Sequence, residues 1–160
     1  MTPKMTLNHR NLFVIAILGS AGILAGAFAF QHIGGLAPCQ LCLWQRWPHA
    51  VAVLIGLVAL ATGWRGLAWI GALAALTTAG VGAFHVGVEQ GWWEGLASCS
   101  AGSIAGISAA DLLNPAVDVA APVRCDAIAW AMFGISMAGW NVILSLGLAG
   151  LWTAAAVWRD

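Results

Sequence analysis

The stretch LFVIAILGSAGILAGAFAF, residues 12–30, is nineteen residues long and carries no charged side chain. As a helix rising about 1.5 Å per residue it covers roughly the 30 Å hydrocarbon core of a bilayer. Ala27 and Ala29 imitate an A-x-A cleavage site. The apolar run nevertheless exceeds the roughly 7 to 15 residues of a signal peptide's hydrophobic region, so it reads as an uncleaved span. Two more stretches run from Leu41 to Thr62 and from Leu67 to Phe84, separated only by Gly63, Trp64, Arg65 and Gly66. So short a turn forces an antiparallel pair. The last stretch, Ala127 to Val157, is longer than one crossing needs. Its start is expected along the interface, with the span itself at about 130–157.

The 160 residues therefore read as one all-α integral membrane domain, a bundle of four transmembrane helices. The spans are placed at about 12–30, 41–62, 67–84 and 130–157, and the outer loops at about 31–40 and 85–127. Composition agrees: 61% of residues are apolar and 8% charged, against about 25% charged in soluble domains. The formal net charge is zero and no Lys/Arg-rich run occurs, which excludes a nucleic-acid partner.

Lys4, Arg10, Arg65 and Arg159 fall on one side of this topology. The positive-inside rule makes that side, and both termini, cytoplasmic. The other side holds Arg46 and Arg124 together with Glu89, Glu94, Asp111, Asp118 and Asp126. Cys39, Cys42, Cys99 and Cys125 then lie at or beyond the outer face, where disulfides persist. Gly22 and Gly26, at G-x-x-x-G spacing, suit close helix approach. Trp64 and Trp69 near one face, and Trp44, Trp92 and Trp93 near the other, fit interfacial belts. The outer segment from His85 to Asp126 is rich in Gly, Ser, Ala and Pro; within it Ile104, Ile107, Leu112 and Leu113 suit a short amphipathic helix on the membrane surface.

Pro38-Cys39-Gln40-Leu41-Cys42 stands where the first outer loop becomes the second helix. Pro38 suits a first turn because its missing N–H would be unpaired there anyway. Exposed N–H groups and the positive helix end favour thiolate, and the three-residue step brings both sulfurs within reach of one disulfide. A further step of four residues reaches Arg46, a cation placed to stabilise a Cys42 thiolate. Pro48, inside the same helix, predicts a bend between Trp44 and Pro48. A zinc site fits less well, because Cys99 and Cys125 are 26 residues apart and form no second close pair. Cys99 and Cys125 bracket the outer loop, where an exposed disulfide would be open to an external thiolate. Asn141, inside the fourth span, is expected to make interhelical hydrogen bonds.

In this order of helix, C-x-x-C, two helices, loop cysteines and helix, the chain resembles the DsbB family of disulfide bond formation proteins. The resemblance covers nearly the whole chain and includes Gln31-His32, Pro38-Cys39-Gln40-Leu41-Cys42, Arg46, and Trp130 five residues after Cys125. Gln45 stands where the familiar pattern often has Glu, and Val88 to Gly95 resembles a branch-specific variant of its loop. The resemblance implies an enzyme of a bacterial inner membrane. In it, Cys99 and Cys125 would oxidise a periplasmic DsbA-like thioredoxin-fold partner, and Cys39 and Cys42 would reoxidise them and reduce a quinone, ubiquinone or menaquinone, from the membrane pool. It also implies that Arg46 and His85 bind the quinone, and it assigns no metal. His32 and His49 have weaker claims, and packing is the simpler reading of Trp130. Three rivals stand beside this one, of which a purely structural membrane subunit leaves the C-x-x-C and the register of Arg46 unexplained. A vitamin K epoxide reductase-like enzyme also joins thiols to quinones, but carries its motifs in the reverse order. A membrane metal-binding or transport protein would use the cysteines as ligands.

Overall fold

The computed structural model describes residues 8–96 and 123–158. They form four helices, α1 (His9–His32), α2 (Gln40–Thr62), α3 (Leu67–Glu89) and α4 (Met137–Val157), each long and apolar enough to cross a membrane. A two-stranded antiparallel hairpin, β1 (Ala131–Met132) and β2 (Ile135–Ser136), precedes α4. The helices pack in a ring: α1 on α2, α2 on α3, α3 on α4, and α4 back on α1. Leu18, Leu54, Leu73 and Leu146 on the outer faces are more than half exposed, as lipid-facing side chains of a bundle are.

Small residues set the spacing of the ring. Ala16, Ala52, Ala68, Ala75 and Ala155 are buried, and Trp152 fills the space they leave. The indole meets Phe13 edge-on, 5.5 Å between ring centres. A Cβ added at Gly71 would lie 2.5 Å from that indole, and one at Gly56 would lie 2.3 Å from Ile17. Gly22 and Gly26, expected to carry the close approach, meet nothing within 4 Å of such a Cβ. Their faces border a cavity, so their smallness makes room for something other than a helix.

At one end of the bundle Arg65, in the α2–α3 turn, donates to the Trp158 carbonyl at 3.0 Å and lies 3.0 Å from His9 Nδ1. The described cysteines stand at the opposite end. Gly63, at φ 70°, closes α2 in the left-handed conformation that glycine adopts without strain. Helix α2 stays continuous through Pro48, whose ring leaves the Trp44 carbonyl without its helical donor.

Two boundaries differ from the sequence reading. Helix α3 runs to Glu89 rather than Phe84, because Gly87 leaves room for Trp93 to fold back and donate to the Phe84 carbonyl at 3.0 Å. This carries His85 and Glu89 into the helix. The fourth helix starts at Met137, later than the expected 130, because the chain first turns at Phe133 and Gly134, both at positive φ. A two-residue turn of that conformation matches strand twist and makes a hairpin. Ser136 then caps α4 by accepting from the Gly139 N–H at 3.2 Å. Cys99 and the expected amphipathic helix of Ile104, Ile107, Leu112 and Leu113 lie outside the described residues.

Candidate active site

Cys39 is the N-cap of α2: its sulfur accepts from the Cys42 N–H at 3.3 Å, satisfying one of the donors a helix start leaves open. Cys39 and Cys42 are free thiols whose sulfurs share a hydrogen bond of 2.9 Å. Cys39 is buried with Leu41, Val88 and Cys125, and Cys125 is held in a disulfide. Cys42 packs against the same cluster and also lines the cavity. The C-x-x-C thus joins the cluster of the loop cysteine to the cavity, which Cys42 reaches and Cys39 does not.

The sequence reading placed the thiolate on Cys42. The geometry favours Cys39, which accepts from the Cys42 N–H at the helix head beside the His85 ring, and whose pKa is pulled below the ordinary thiol value. With Cys39 ionised, the Cys42 thiol donates to it, and that bond is the largest cause. Burial opposes the shift, while the His85 ring and the Cys42 N–H add to it.

His85 stands between the two cysteine sites, with Nε2 3.6 Å from Cys39 Sγ and 3.1 Å from the Cys125 carbonyl. Its tautomer follows from its neighbours. Gln45 Nε2 donates to the Leu41 carbonyl at 3.2 Å, and a carbonyl can only accept, so the amide orientation is fixed. The same NH₂ reaches His85 Nδ1 at 3.0 Å, so Nδ1 accepts and Nε2 carries the proton. That proton faces Cys125 and Cys39. Glu89, one helical turn on, approaches His85 Nε2 at 3.8 Å and accepts a short hydrogen bond from Ser136. Gln45 and Glu89 carried no weight in the sequence reading; their signal was polarity inside otherwise apolar helices.

Arg46 reaches α1 rather than a sulfur. Its guanidinium donates to Gln31 Oε1 and to the Ala27 carbonyl at 3.2 Å, and stands 4.9 Å above the Phe28 ring. Its Nε is buried without a hydrogen-bond partner among the described residues. Arg46, Cys42 and His85 all line one cavity of about 860 Å³, walled by α1 and α4. Trp130, which packs on Phe30 at 5.0 Å, borders it at the cysteine end. The walls are mostly Gly, Ala, Leu and Ile side chains. A volume in the range of about 300–1,000 Å³ with few polar groups is that of a small-molecule site. His32 stays exposed and stacks on Phe28 at 6.1 Å.

A polar chain continues inward. Asn141 Nδ2 donates to Gln45 Oε1 at 2.8 Å and to Thr78 Oγ1 and the Thr78 carbonyl at 3.1 and 3.2 Å, as expected of an interhelical residue. Its Oδ1 faces His49 Nε2 at 2.9 Å and accepts from Ser145 at 3.3 Å. For a metal, the ligand atoms of Cys39, Cys42 and His85 lie within 4.8 Å of one another. That supplies three of the four ligands of a closed zinc site.

A reduced C-x-x-C at a helix head, with a disulfide-bonded cysteine packed beside it inside four membrane-length helices, defines a membrane thiol–disulfide protein. The model of the family "Disulfide bond formation protein DsbB" matches residues 9–155. Proteins named "Disulfide bond formation protein B" match along most of their length. That of Albidiferax ferrireducens is 31% identical over 94% of this chain and 88% of its own. That of Stutzerimonas stutzeri is 33% identical over 88% and 90%, and that of Verminephrobacter eiseniae 34% over 94% and 86%. No solved structure matches the chain significantly. The chain belongs to the DsbB family, and is a multi-pass membrane oxidoreductase of disulfide bond formation.

Proposed function

We propose that this protein reoxidises a periplasmic DsbA-like thiol protein and delivers the electrons to a membrane quinone. One observation carries the reading: the C-x-x-C bridges two sites, packed against the loop cysteine through Cys39 and reaching the cavity wall through Cys42. The cavity suits a quinone, because its walls are apolar and Arg46 Nε is a buried donor left unpaired. A carbonyl oxygen would relieve that cost of about 1–3 kcal/mol. When bound, a quinone would take up two electrons and two protons.

The chain's own residues do the rest. A thiolate of the partner attacks the disulfide of Cys99 and Cys125; the partner leaves oxidised, and the loop cysteines are left as a dithiol. That dithiol then reduces a Cys39–Cys42 disulfide by exchange, so the loop disulfide re-forms and the membrane pair holds the electrons. His85, with its Nε2–H toward Cys39 and the Cys125 carbonyl, stabilises the Cys39 thiolate. The thiolate is then placed to close onto Cys42 when the electron pair leaves toward the cavity. Cys42 gives up its thiol proton in that step, and one more proton comes from water. Arg46 would hold the acceptor's oxygen. The membrane is the bacterial inner membrane, with the cysteine end periplasmic.

The test is anaerobic quinone reduction by the purified chain, driven by a reduced DsbA-like protein. Wild type should turn over, Cys42→Ser should not, and Arg46→Ala should raise the quinone KM about tenfold or more. Failure of the wild type with ubiquinone and menaquinone analogues would sink the reading. The three-ligand cluster makes zinc the rival to check: stoichiometric zinc in the purified chain would favour a metal-binding protein.

A further inference from the structure

Arg46 Nε has a companion among the unpaired buried atoms. His49 is 2% exposed, lines the same cavity, and leaves Nδ1 without a hydrogen-bond partner among the described residues. It lies three residues after Arg46, about 4.5 Å deeper along α2. The protonation of its ring can be read from its neighbours. The Thr78 carbonyl only accepts, so the Asn141 group facing it at 3.2 Å is the NH₂. Asn141 Oδ1 therefore faces His49, and the 2.9 Å contact requires the proton on His49 Nε2. In the neutral ring Nδ1 is then a bare lone pair. Two residues of the cavity wall thus hold buried unpaired atoms, a donor at Arg46 and, one turn below, an acceptor at His49.

A quinone has only acceptors, whereas its reduced form carries hydroxyl donors. We propose that His49 is a binding residue for the quinol: its Nδ1 accepts a hydrogen bond from a quinol hydroxyl, and Asn141 is the positioning residue that fixes the tautomer. This rests on the quinone reading above and adds a selectivity to it. Ser145, which donates to Asn141 Oδ1, and Thr78, which donates to the Gln45 carbonyl at 3.0 Å, hold Asn141 and its surroundings in place. The chain of hydrogen bonds does not pass protons, because the side-chain amides of Gln45 and Asn141 separate the two imidazoles. Its effect is on affinity. Product binding is strengthened relative to substrate binding, which makes the bound quinone easier to reduce.

The experiment uses the full chain in lipid nanodiscs with Cys42→Ser, so that no electrons move, and measures equilibrium binding of a short-chain ubiquinone and of the matching ubiquinol. His49→Gln keeps a donor for Asn141 and removes Nδ1. Quinol affinity should fall about fivefold, the effect of one hydrogen bond, with quinone affinity changed by less than about twofold. In parallel, ¹⁵N-histidine spectra, with His49 identified by its loss in His49→Gln, should show an unprotonated Nδ1 that shifts on adding ubiquinol and not on adding ubiquinone. If His49→Gln weakened both forms equally or neither, or if Nδ1 carried the proton, the inference would be overturned while the quinone reading stood. If the parent protein bound neither form, both would fall together.

Discussion

The backbone carbonyls of Leu41 and Thr78 can only accept hydrogen bonds, and through Gln45 and Asn141 they decide which nitrogen of His85 and of His49 carries a proton. Asn141 is the centre of that arrangement. Replacing it by leucine would strip Gln45 Oε1 of its partner and leave His49 Nε2 only the 3.5 Å contact to Ser145 Oγ. Asn141→Leu should cost about 1–3 kcal/mol, read as a shift in the unfolding midpoint in detergent; an unchanged midpoint would mean the bonds are replaced. A second prediction concerns Cys39. Its folded pKa lies below the ordinary 9.0, so the thiolate persists as pH falls through the usual thiol range and is lost only below it. The ultraviolet thiolate signal of the reduced protein should titrate well below pH 9.0, and His85→Ala should move the midpoint up. A midpoint near that of a free thiol would contradict the assignment. The place of Cys39 and Cys42 at the helix head was legible because C-x-x-C spacing is a local pattern, whereas the step of four misjudged Arg46, whose guanidinium turns to Gln31 and Ala27 on α1. Gln45, His49 and Asn141 were visible as polar residues in apolar helices, but their connections join positions up to 96 residues apart, which no local pattern reveals.

Helices were the most legible level, since charge-free stretches of bilayer length leave few alternatives. Their ends were less so: α3 gained its last turn from Trp93 folding onto Gly87, and the hairpin at Phe133 and Gly134 delayed α4. The role of glycine spacing was misread, because G-x-x-x-G marks a face that can be approached without saying what approaches it. The contrast can be measured. Gly71→Ala would drive a methyl into the Trp152 ring and should cost about 1–3 kcal/mol, whereas Gly80→Ala, with nothing within 4 Å, should be near neutral. Equal effects would contradict the packing. Gly26→Leu, on the cavity wall, should weaken quinone binding more than it weakens the fold.

For the molecule as a whole, the ring of helices separates two ends. Arg65, His9 and Trp158 tie one end together, and the described cysteines occupy the other. His9 and Trp158 therefore share a side, which the positive-inside rule would make cytoplasmic under the proposed topology. A reporter fused after residue 160 should be active only in a cytoplasmic form; a periplasmic signal would invert the topology. The most direct test of the relay is to follow the cysteines through one turnover. Protein with all four cysteines oxidised is mixed anaerobically with one equivalent of a reduced DsbA-like partner, then trapped by alkylation and mapped by mass spectrometry. Without quinone, Cys39 and Cys42 should take up the label while Cys125 returns to its disulfide. With ubiquinone added, that label should vanish and one quinol should appear per partner disulfide. Label confined to Cys99 and Cys125, with Cys39 and Cys42 still oxidised and no quinol formed, would contradict the relay.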